Sequence, residues 1–414
     1  MIRGDHYIPR MIDLTLDRLM TELPAIMLTG PRGCGKTTTA MRRVQSVLRL
    51  DQPDQATVFR STPDAVLAAS AKPVLLDEWQ EAPEALGAVK RAVDAGAPPG
   101  SFLITGSVRS RHQTAVWPGT GRIVPVSMDG LTVGEIEQTS TASLIDQLFG
   151  LGDPSTWQLP TAPNLLDYID LVVRGGFPEA VALTGQTRHA WFQGYVENLV
   201  HRDISALAVV RAPAALSRLV RAVALNTAGQ PSLATLAEAA GANHRTTTTY
   251  LDLLEELRII QRLERWGANR LKRMTKTPKY YLADPGLAAF LCGASSAGLL
   301  RSATRLGRLI DTFVLAQLRP LANLALPRIE VFHLRGEAGR REVDLVLEAA
   351  TGQIVGLEIK AGATVEPRSA RHLAWLRDEV GQDFVRGYVL HTGTMTYSLG
   401  DRLWAMPIAR LWQP

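Results

Sequence analysis

The sequence predicts an α/β chain with a parallel sheet at its N-terminal end, small helical modules behind it and a separate α/β sheet at its C-terminal end. Three sets of residues carry that expectation. Ala25–Ala40 reads A-I-M-L-T-G-P-R-G-C-G-K-T-T-T-A, an apolar run closed by a glycine-rich turn and a helix start. Pro73–Gln80 (P-V-L-L-D-E-W-Q) and Ser101–Gly106 (S-F-L-I-T-G) are two more short apolar runs that end in polar residues. Runs of this kind suit strands buried on both faces, as in a sheet covered by helices. Downstream, Arg328–Leu334, Glu342–Leu347 and Gln353–Lys360 read as strands, followed by a helix through Ala370–Leu376 and a strand at Phe384–Leu390.

Taking the chain in order, Met11, Leu14, Leu16, Leu19, Met20 and Leu23 have helical spacing ahead of the first strand. Gly30, Gly33 and Gly35 then permit a tight turn with inward-facing amides, and Lys36 and Thr37 open a helix read as continuing through Thr39–Leu48. This is G-x-x-x-x-G-K-[ST] in its context of strand, loop and helix. Amides and the helix N-terminus cradle a β-phosphate, Lys36 reaches the β/γ oxygens, and Thr37 offers its hydroxyl to Mg²⁺. The cradle comprises Gly30, Pro31, Arg32, Gly33, Cys34, Gly35, Lys36, Thr37 and Thr38, and ATP with Mg²⁺ is its expected occupant. A glycine-rich turn can be mere punctuation, but only seven of the 45 basic residues are Lys. In a chain that otherwise writes Arg, a lysine where a compact ammonium is wanted is informative.

The second apolar run ends in Asp77 and Glu78. Asp77 at a strand tip suits holding Mg²⁺ through water, and Glu78 suits polarising the attacking water as catalytic base. The third run ends in Thr105, Ser107, Arg109 and Arg111. Ligands of a parallel α/β sheet sit at the carboxyl ends of its strands, so Ser107 or Thr105 is read as a water sensor. Arg122, in G-T-G-R, is a candidate for positive charge on the transition state; each of these arginines reads equally well as a solvated loop charge.

Composition bounds the rest. A chain of 414 residues with 46% hydrophobic content suits about three domains. The two cysteines, Cys34 and Cys292, give no disulfide framework, and the eight histidines show no Cys/His zinc spacing. Acids near the start argue against a signal peptide, and no apolar run has the length of a membrane span, so a cytoplasmic protein without membrane partners is expected. Residues 211–280 hold twelve Arg/Lys against five Asp/Glu, a net +7; with +5 for the whole chain, the remainder sums to −2. One segment therefore carries the entire excess, as a nucleic-acid-binding module would.

That segment contains a short helix with Leu233, Leu236 and Ala237, a turn at Gly241, and a second helix from Asn243 with Tyr250, Leu251, Leu254 and Leu257 inward. A strand around Ile259–Trp266 and a partner at Tyr280–Leu282 complete a winged helix-turn-helix pattern. His244, Arg245, Thr246, Thr247 and Thr248 are expected at the exposed helix start, suited to groove edges. The wing carries Arg258, Arg262, Arg265, Arg270, Lys272, Arg273, Lys276 and Lys279, suited to phosphates. DNA is the expected partner, with packing or protein contact as the other use of such a module.

In the C-terminal strands, alternation places Val343, Leu345 and Leu347 on one face with Glu342 and Asp344 on the other. Glu358 and Lys360 likewise stand side by side, and a helix near Gly307–Leu318 carries Asp311. Two carboxylates and a lysine thus converge across adjacent strands, unless the charged face is simply wet.

The motifs T-G-P-R-G-C-G-K-T-T, L-L-D-E-W-Q, I-T-G-S and G-R resemble prokaryotic AAA+-type ATPases that pair such a core with a C-terminal domain of unknown function. Further matches at Arg174–Glu179 (R-G-G-F-P-E), Arg202-Asp203-Ile204 and Lys279–Leu287 (K-Y-Y-L-A-D-P-G-L) extend the resemblance over nearly the whole chain. The expected division is a P-loop NTPase core over 1–150, a helical lid over 151–210, read from its place after the core, the winged helix-turn-helix over 211–287 and a C-terminal domain over 288–414. The weakly patterned stretch Ser140–Asn164 falls at the first boundary. Cys34 departs from the small aliphatic residue usual in that family, which raises redox sensitivity of the loop as an expectation. The order Asp344, then Glu358-x-Lys360, resembles the PD-(D/E)xK fold, an α/β restriction-endonuclease-like domain. That resemblance implies Mg²⁺ or Mn²⁺ held by Asp344 and Glu358, with Lys360 placing the attacking water and Asp311 helping; Val343 stands where active nucleases often have Pro. Three outputs stay open: ATP-controlled DNA binding with metal-dependent cleavage, an ATP-switched DNA- or protein-binding scaffold with a silent terminal domain, and a signalling ATPase with protein partners only. A homo-oligomer fits the core, and no residue pattern sets its count.

Overall fold

A computed structural model describes residues 7–106, 119–139, 144–150, 152–157, 159, 162–200, 212–267, 277–336 and 341–413. The chain divides into two compact units. The first is 1–130 with the short pieces 177–179 and 256–258, and the second is the remainder.

The first unit is built on five parallel strands: β1 (Ala25–Thr29), β2 (Ser46–Arg49), β3 (Val74–Asp77), β4 (Phe102–Thr105) and β5 (Val124–Ser127), in the order β2-β3-β4-β1-β5. Every residue of β1, β3 and β4 is buried or nearly so. These are the three apolar runs, and their uninterrupted hydrophobicity follows from having helices on both faces. Proline opens each of the helices Pro53–Ser61 and Pro63–Ala69, where its fixed φ suits the first turn and its missing N–H is not needed. Phe59, Leu67, Leu76, Trp79, Leu86, Val89, Phe102 and Ile104 share one core. The helix after the glycine-rich turn is shorter than its spacing suggests: it spans Lys36–Met41, and Ser46–Arg49 forms the edge strand β2. Pairing with β3, from Ser46↔Val74 to Arg49↔Asp77, satisfies that backbone and overrides the local helical pattern.

The second unit contains a helical part and a sheet. Ser232 caps the helix Leu233–Ala240 by accepting from Thr235 N–H, and Gly241 at φ 63° ends it. Asn243 Oδ1 then accepts from Thr246 N–H and starts the helix His244–Glu256. Two side-chain caps and one left-handed glycine therefore set the turn between the helices. An antiparallel pair follows, β6 (Ile260–Leu263) and β7 (Lys279–Leu282). After the long helix Ala303–Leu324 come β8 (Ile329–Arg335), β9 (Glu342–Ala349), β10 (Ile354–Ile359), β11 (Phe384–His391), β12 (Tyr397–Gly400) and β13 (Leu403–Pro407). They form one mixed sheet ordered β12-β13-β11-β10-β9-β8, with β9 antiparallel and β11 parallel to β10. The helix Arg371–Val380 packs Leu373 and Leu376 against Val346, Phe384 and Val389. β10 is buried at all six residues, so its charged side chain Glu358 belongs to the interior, not to a wet face. Among the described residues, no helix is long and apolar enough to cross a membrane.

Candidate nucleotide site and a second cluster of carboxylates

The glycine-rich loop joins β1 to the helix Lys36–Met41 at the carboxyl edge of the parallel sheet. Gly33 and Gly35 have φ of 75° and 100°, backbone that side chains with a Cβ avoid. Gly30 is fixed by proximity instead, since a Cβ there would lie 2.1 Å from the carbonyl oxygen of Met128. Lys36 is buried and donates to the carbonyls of Gly30 at 3.0 Å and Pro31 at 2.9 Å. Of the other loop positions, Pro31 and Cys34 are buried, Arg32 is half-buried and Thr38 is exposed. The Cys34 thiol has no exposure and faces the Met128 carbonyl at 3.7 Å, which leaves it shielded from oxidants, contrary to the expected redox sensitivity.

Asp77, the last residue of β3, is buried, and its Oδ1 accepts from two hydroxyls, Thr37 at 2.8 Å and Thr105 at 2.6 Å. Both donors are neutral. They orient the carboxylate without cancelling its charge, and hard oxygen atoms from Thr37 and Asp77 form a donor set suited to Mg²⁺. Glu78 follows in left-handed backbone (φ 54°, ψ 49°), which is costly for a residue with a side chain and common at functional positions. Its carboxylate accepts from the Gln80 side-chain amide.

Arg122 is a correction. It precedes β5, whose register with β1 runs from Ile26↔Val124 to Thr29↔Ser127, so it sits at the opposite end of the strands from the loop. Its guanidinium is exposed and bound to Asp94 at 2.8 Å. In its own chain it cannot reach a phosphate held by the loop. Ser107, Arg109 and Arg111 lie outside the described residues.

Sequence reasoning missed Arg10 and Tyr7. The buried Arg10 guanidinium donates to the carbonyls of Cys34 at 2.9 Å, Asp129 at 2.7 Å and Gly130 at 3.2 Å, tying the loop to the chain beyond β5. Tyr7 hydrogen-bonds Asp13 at 2.8 Å and Thr39 at 3.3 Å, and the Arg42 guanidinium lies 4.4 Å from its ring centroid. A lone arginine 24 positions before its partner leaves no motif to find.

The second unit gathers Lys279 from β7, Asp311 from the long helix, Glu342 and Asp344 from β9, and Glu358 from β10, with Lys360 just beyond. Lys279 Nζ lies 2.9 Å from Glu342 and 3.4 Å from Asp344. The other Asp344 oxygen accepts from Ile359 N–H at 3.0 Å, and Lys360 Nζ lies 3.0 Å from Glu358. His372 Nδ1 stands 3.7 Å from the second Glu358 oxygen. Burial, with Asp344 next, pushes the Glu358 carboxyl up to about 8. Burial and Asp344 also raise Asp311 well above the usual carboxylate range. Burial by itself would lower the Lys279 ammonium, but Tyr281, Asp344, Glu342 and Asp311 together raise it. Among the described residues, no three His, Cys, Asp or Glu side chains are grouped to hold a metal ion.

Two further expectations are corrected here. Lys279, counted with the basic wing, is 3% exposed and points into these carboxylates. Thr247 has no exposure and donates to Asn243, so the exposed helix start consists of His244, Arg245 and Thr248, with Thr246 half-buried. Arg262 is engaged by Asp252 at 2.5 Å and Glu255 at 3.1 Å, which removes it from the free charge of the wing. Arg270, Lys272, Arg273 and Lys276 lie outside the described residues, as does Arg202-Asp203-Ile204.

Residues 22–137 match the family described as AAA domain. Residues 165–298 match a domain of unknown function (DUF8612), and residues 306–411 match another (DUF4143). Two uncharacterized proteins, from Mycobacterium tuberculosis and Mycobacterium bovis, are each 29% identical over 400 residues, which is 95% of this chain and 82% of theirs. Among solved structures, the Walker-type ATPase PABY2304 of Pyrococcus abyssi aligns at 14% identity and a TM-score of 0.42, covering 69% of this chain and 96% of its own. The AAA-domain match falls on the loop, on Asp77 and Glu78, and on the parallel sheet, so this part of the chain is an α/β unit that resembles a P-loop ATPase core.

Proposed function

We propose that this protein binds ATP in the loop Gly30–Thr38 and hydrolyses it, and that the nucleotide state controls how the second unit engages DNA. One observation carries the reading: the buried Asp77 carboxylate, at the tip of its strand, accepts from the hydroxyls of Thr37 and Thr105 and so stands beside the phosphate loop with neutral donors only. Thr37 and Asp77 would hold Mg²⁺, which when bound supplies charge neutralisation at the phosphates. Lys36, exchanging the carbonyls of Gly30 and Pro31 for phosphate oxygens, binds the triphosphate. Glu78 accepts the proton of the attacking water, giving ADP and phosphate. The test is turnover and nucleotide affinity: Lys36→Ala should lose affinity, and Glu78→Gln should keep affinity and lose turnover. Full affinity in Lys36→Ala would overturn the reading.

The DNA part is supported by the capped pair of helices and the antiparallel pair behind them, the order expected of a winged helix-turn-helix over 211–287, and by the exposed His244 and Arg245. Gel shifts at two salt concentrations, with and without ATP, test it, because contacts to phosphates make affinity fall steeply with salt. Over 288–414 we read a PD-(D/E)xK-like domain behind a helical lid over 151–210. Cleavage by Asp344, Glu358 and Lys360 is one output. A silent terminal site is the second reading, and the ammonium of Lys279 against Asp344 favours it. Mn²⁺-dependent nicking abolished by Asp344→Ala would decide for cleavage.

A further inference from the structure

Past the tip of β3 the chain makes one closed turn. The Glu78 carbonyl accepts from Glu81 N–H at 2.9 Å and the Trp79 carbonyl from Ala82 N–H at 3.0 Å, so Trp79–Glu81 is a single turn of 3₁₀ helix. Trp79 belongs to the apolar core, and Gln80 is 2% exposed. Glu78, between them and the strand, is half-buried in its left-handed backbone. The Gln80 side-chain amide donates to the Glu78 carboxylate, but its buried carbonyl oxygen Oε1 has no hydrogen-bond partner. That oxygen lies against Gly106, where a Cβ would stand 2.2 Å from it. A buried amide satisfied on one side only destabilises a fold, whereas an apolar side chain of similar shape would not. Among the described residues, the polarity of the Gln80 side chain therefore serves one partner, Glu78.

We propose that Gln80 is a positioning residue for ATP hydrolysis, its fixed amide holding the Glu78 carboxylate where it meets the attacking water. The inference rests on the reading of Glu78 as the base. A glutamate with a free side chain samples several rotamers, and a donor locked in the core by packing restricts them. The proton still passes from water to Glu78, and Gln80 neither gains nor loses one. Stability and turnover are then opposed at one side chain, because the half-satisfied amide weakens the fold and serves the reaction.

The experiment compares the full chain with Gln80→Met, a swap of similar volume, by steady-state ATP hydrolysis, titration of a fluorescent ATP analogue and thermal melting. Gln80→Met is expected to lower kcat by about 10–100-fold, the usual loss when a group that orients a reacting one is removed, with analogue affinity unchanged and Tm equal or higher. In the Glu78→Gln background, read by single turnover with enzyme in excess, Gln80→Met is expected to cost nothing further, because no base is left to aim. Should Gln80→Met not fold, Gln80→Leu is read by the same measurements. A fall of Tm in both variants, an unchanged kcat in a folded variant, or a loss repeated in full in the Glu78→Gln background overturns the proposal. The base reading fails separately: full turnover in Glu78→Gln sinks that reading and the positioning role with it, whereas lost turnover in Glu78→Gln beside a fully active Gln80→Met sinks the positioning role alone.

Discussion

Asp77 and Asp344 are both acids on strands of a sheet core, and they differ in what holds them. Asp77 is held by two hydroxyls, Asp344 by an ammonium and a backbone amide. Hydroxyls satisfy lone pairs and leave the charge intact, whereas an ammonium satisfies lone pairs and charge together. One acid thus has only neutral side-chain donors, and the other is already paired with a cation. Proximity of carboxylates alone therefore does not identify a metal site; the charge of their existing donors has to be weighed with it.

The comparison can be broken, starting from its largest expected effect. Glu78→Gln should lower the rate of ATP hydrolysis by about 10²–10⁴-fold, the usual contribution of a positioned base, with nucleotide affinity kept, as measured by phosphate release and titration of a fluorescent ATP analogue. Lys279→Met leaves the part-buried Asp344 and the more exposed Glu342 without their ammonium and should destabilise the second unit by about 1–3 kcal/mol in chemical denaturation. Asp77→Asn, whose hydroxyl donors need only an acceptor, should change stability by under about 1 kcal/mol while abolishing Mg²⁺-dependent turnover. Equal destabilisation by the two substitutions would end the contrast.

A pH measurement sharpens it. His333 is fully buried, and burial, then the Lys279 charge, depresses its imidazole to about 3. The folded value lies below the ordinary 6.5, so neutral His333 contributes stability in full above 6.5, and that contribution is lost as pH falls from there towards 3. His333→Gln should flatten this acid limb by up to about 1.4 kcal/mol per pH unit, read from urea unfolding at successive pH values. A steeper limb in the variant would mean the imidazole is charged in the folded protein. The smallest effect belongs to Arg122→Ala, which removes an exposed ion pair with Asp94 and should cost about 0–1 kcal/mol with turnover unchanged.

What was legible in the sequence follows the same division. The loop Gly30–Thr38 and the acids Asp77 and Glu78 could be read because a phosphate cradle is made of consecutive backbone, and an acid at a strand tip is marked by the apolar run before it. The terminal strands were legible by alternation, as were Asp344 and Glu358 on them. Lys279 was not, because its partners Glu342 and Asp344 lie more than 60 positions downstream and the residues around it are basic, so its charge read as part of a wing. β2 was missed for a related reason: its strand state comes from pairing with β3, not from its own residues. Arg122 had the right chemistry at the wrong end of a parallel strand, a distinction that only register reveals.

The reach of Arg10 has a practical consequence. The AAA-domain match begins at residue 22, and a chain trimmed to that boundary would keep every motif residue of the phosphate loop. It would also lose the guanidinium that spans from the Cys34 carbonyl to those of Asp129 and Gly130. On the proposed reading, a fragment made for nucleotide-binding assays should therefore begin ahead of Arg10, so that a failure to bind ATP is not the loss of this brace.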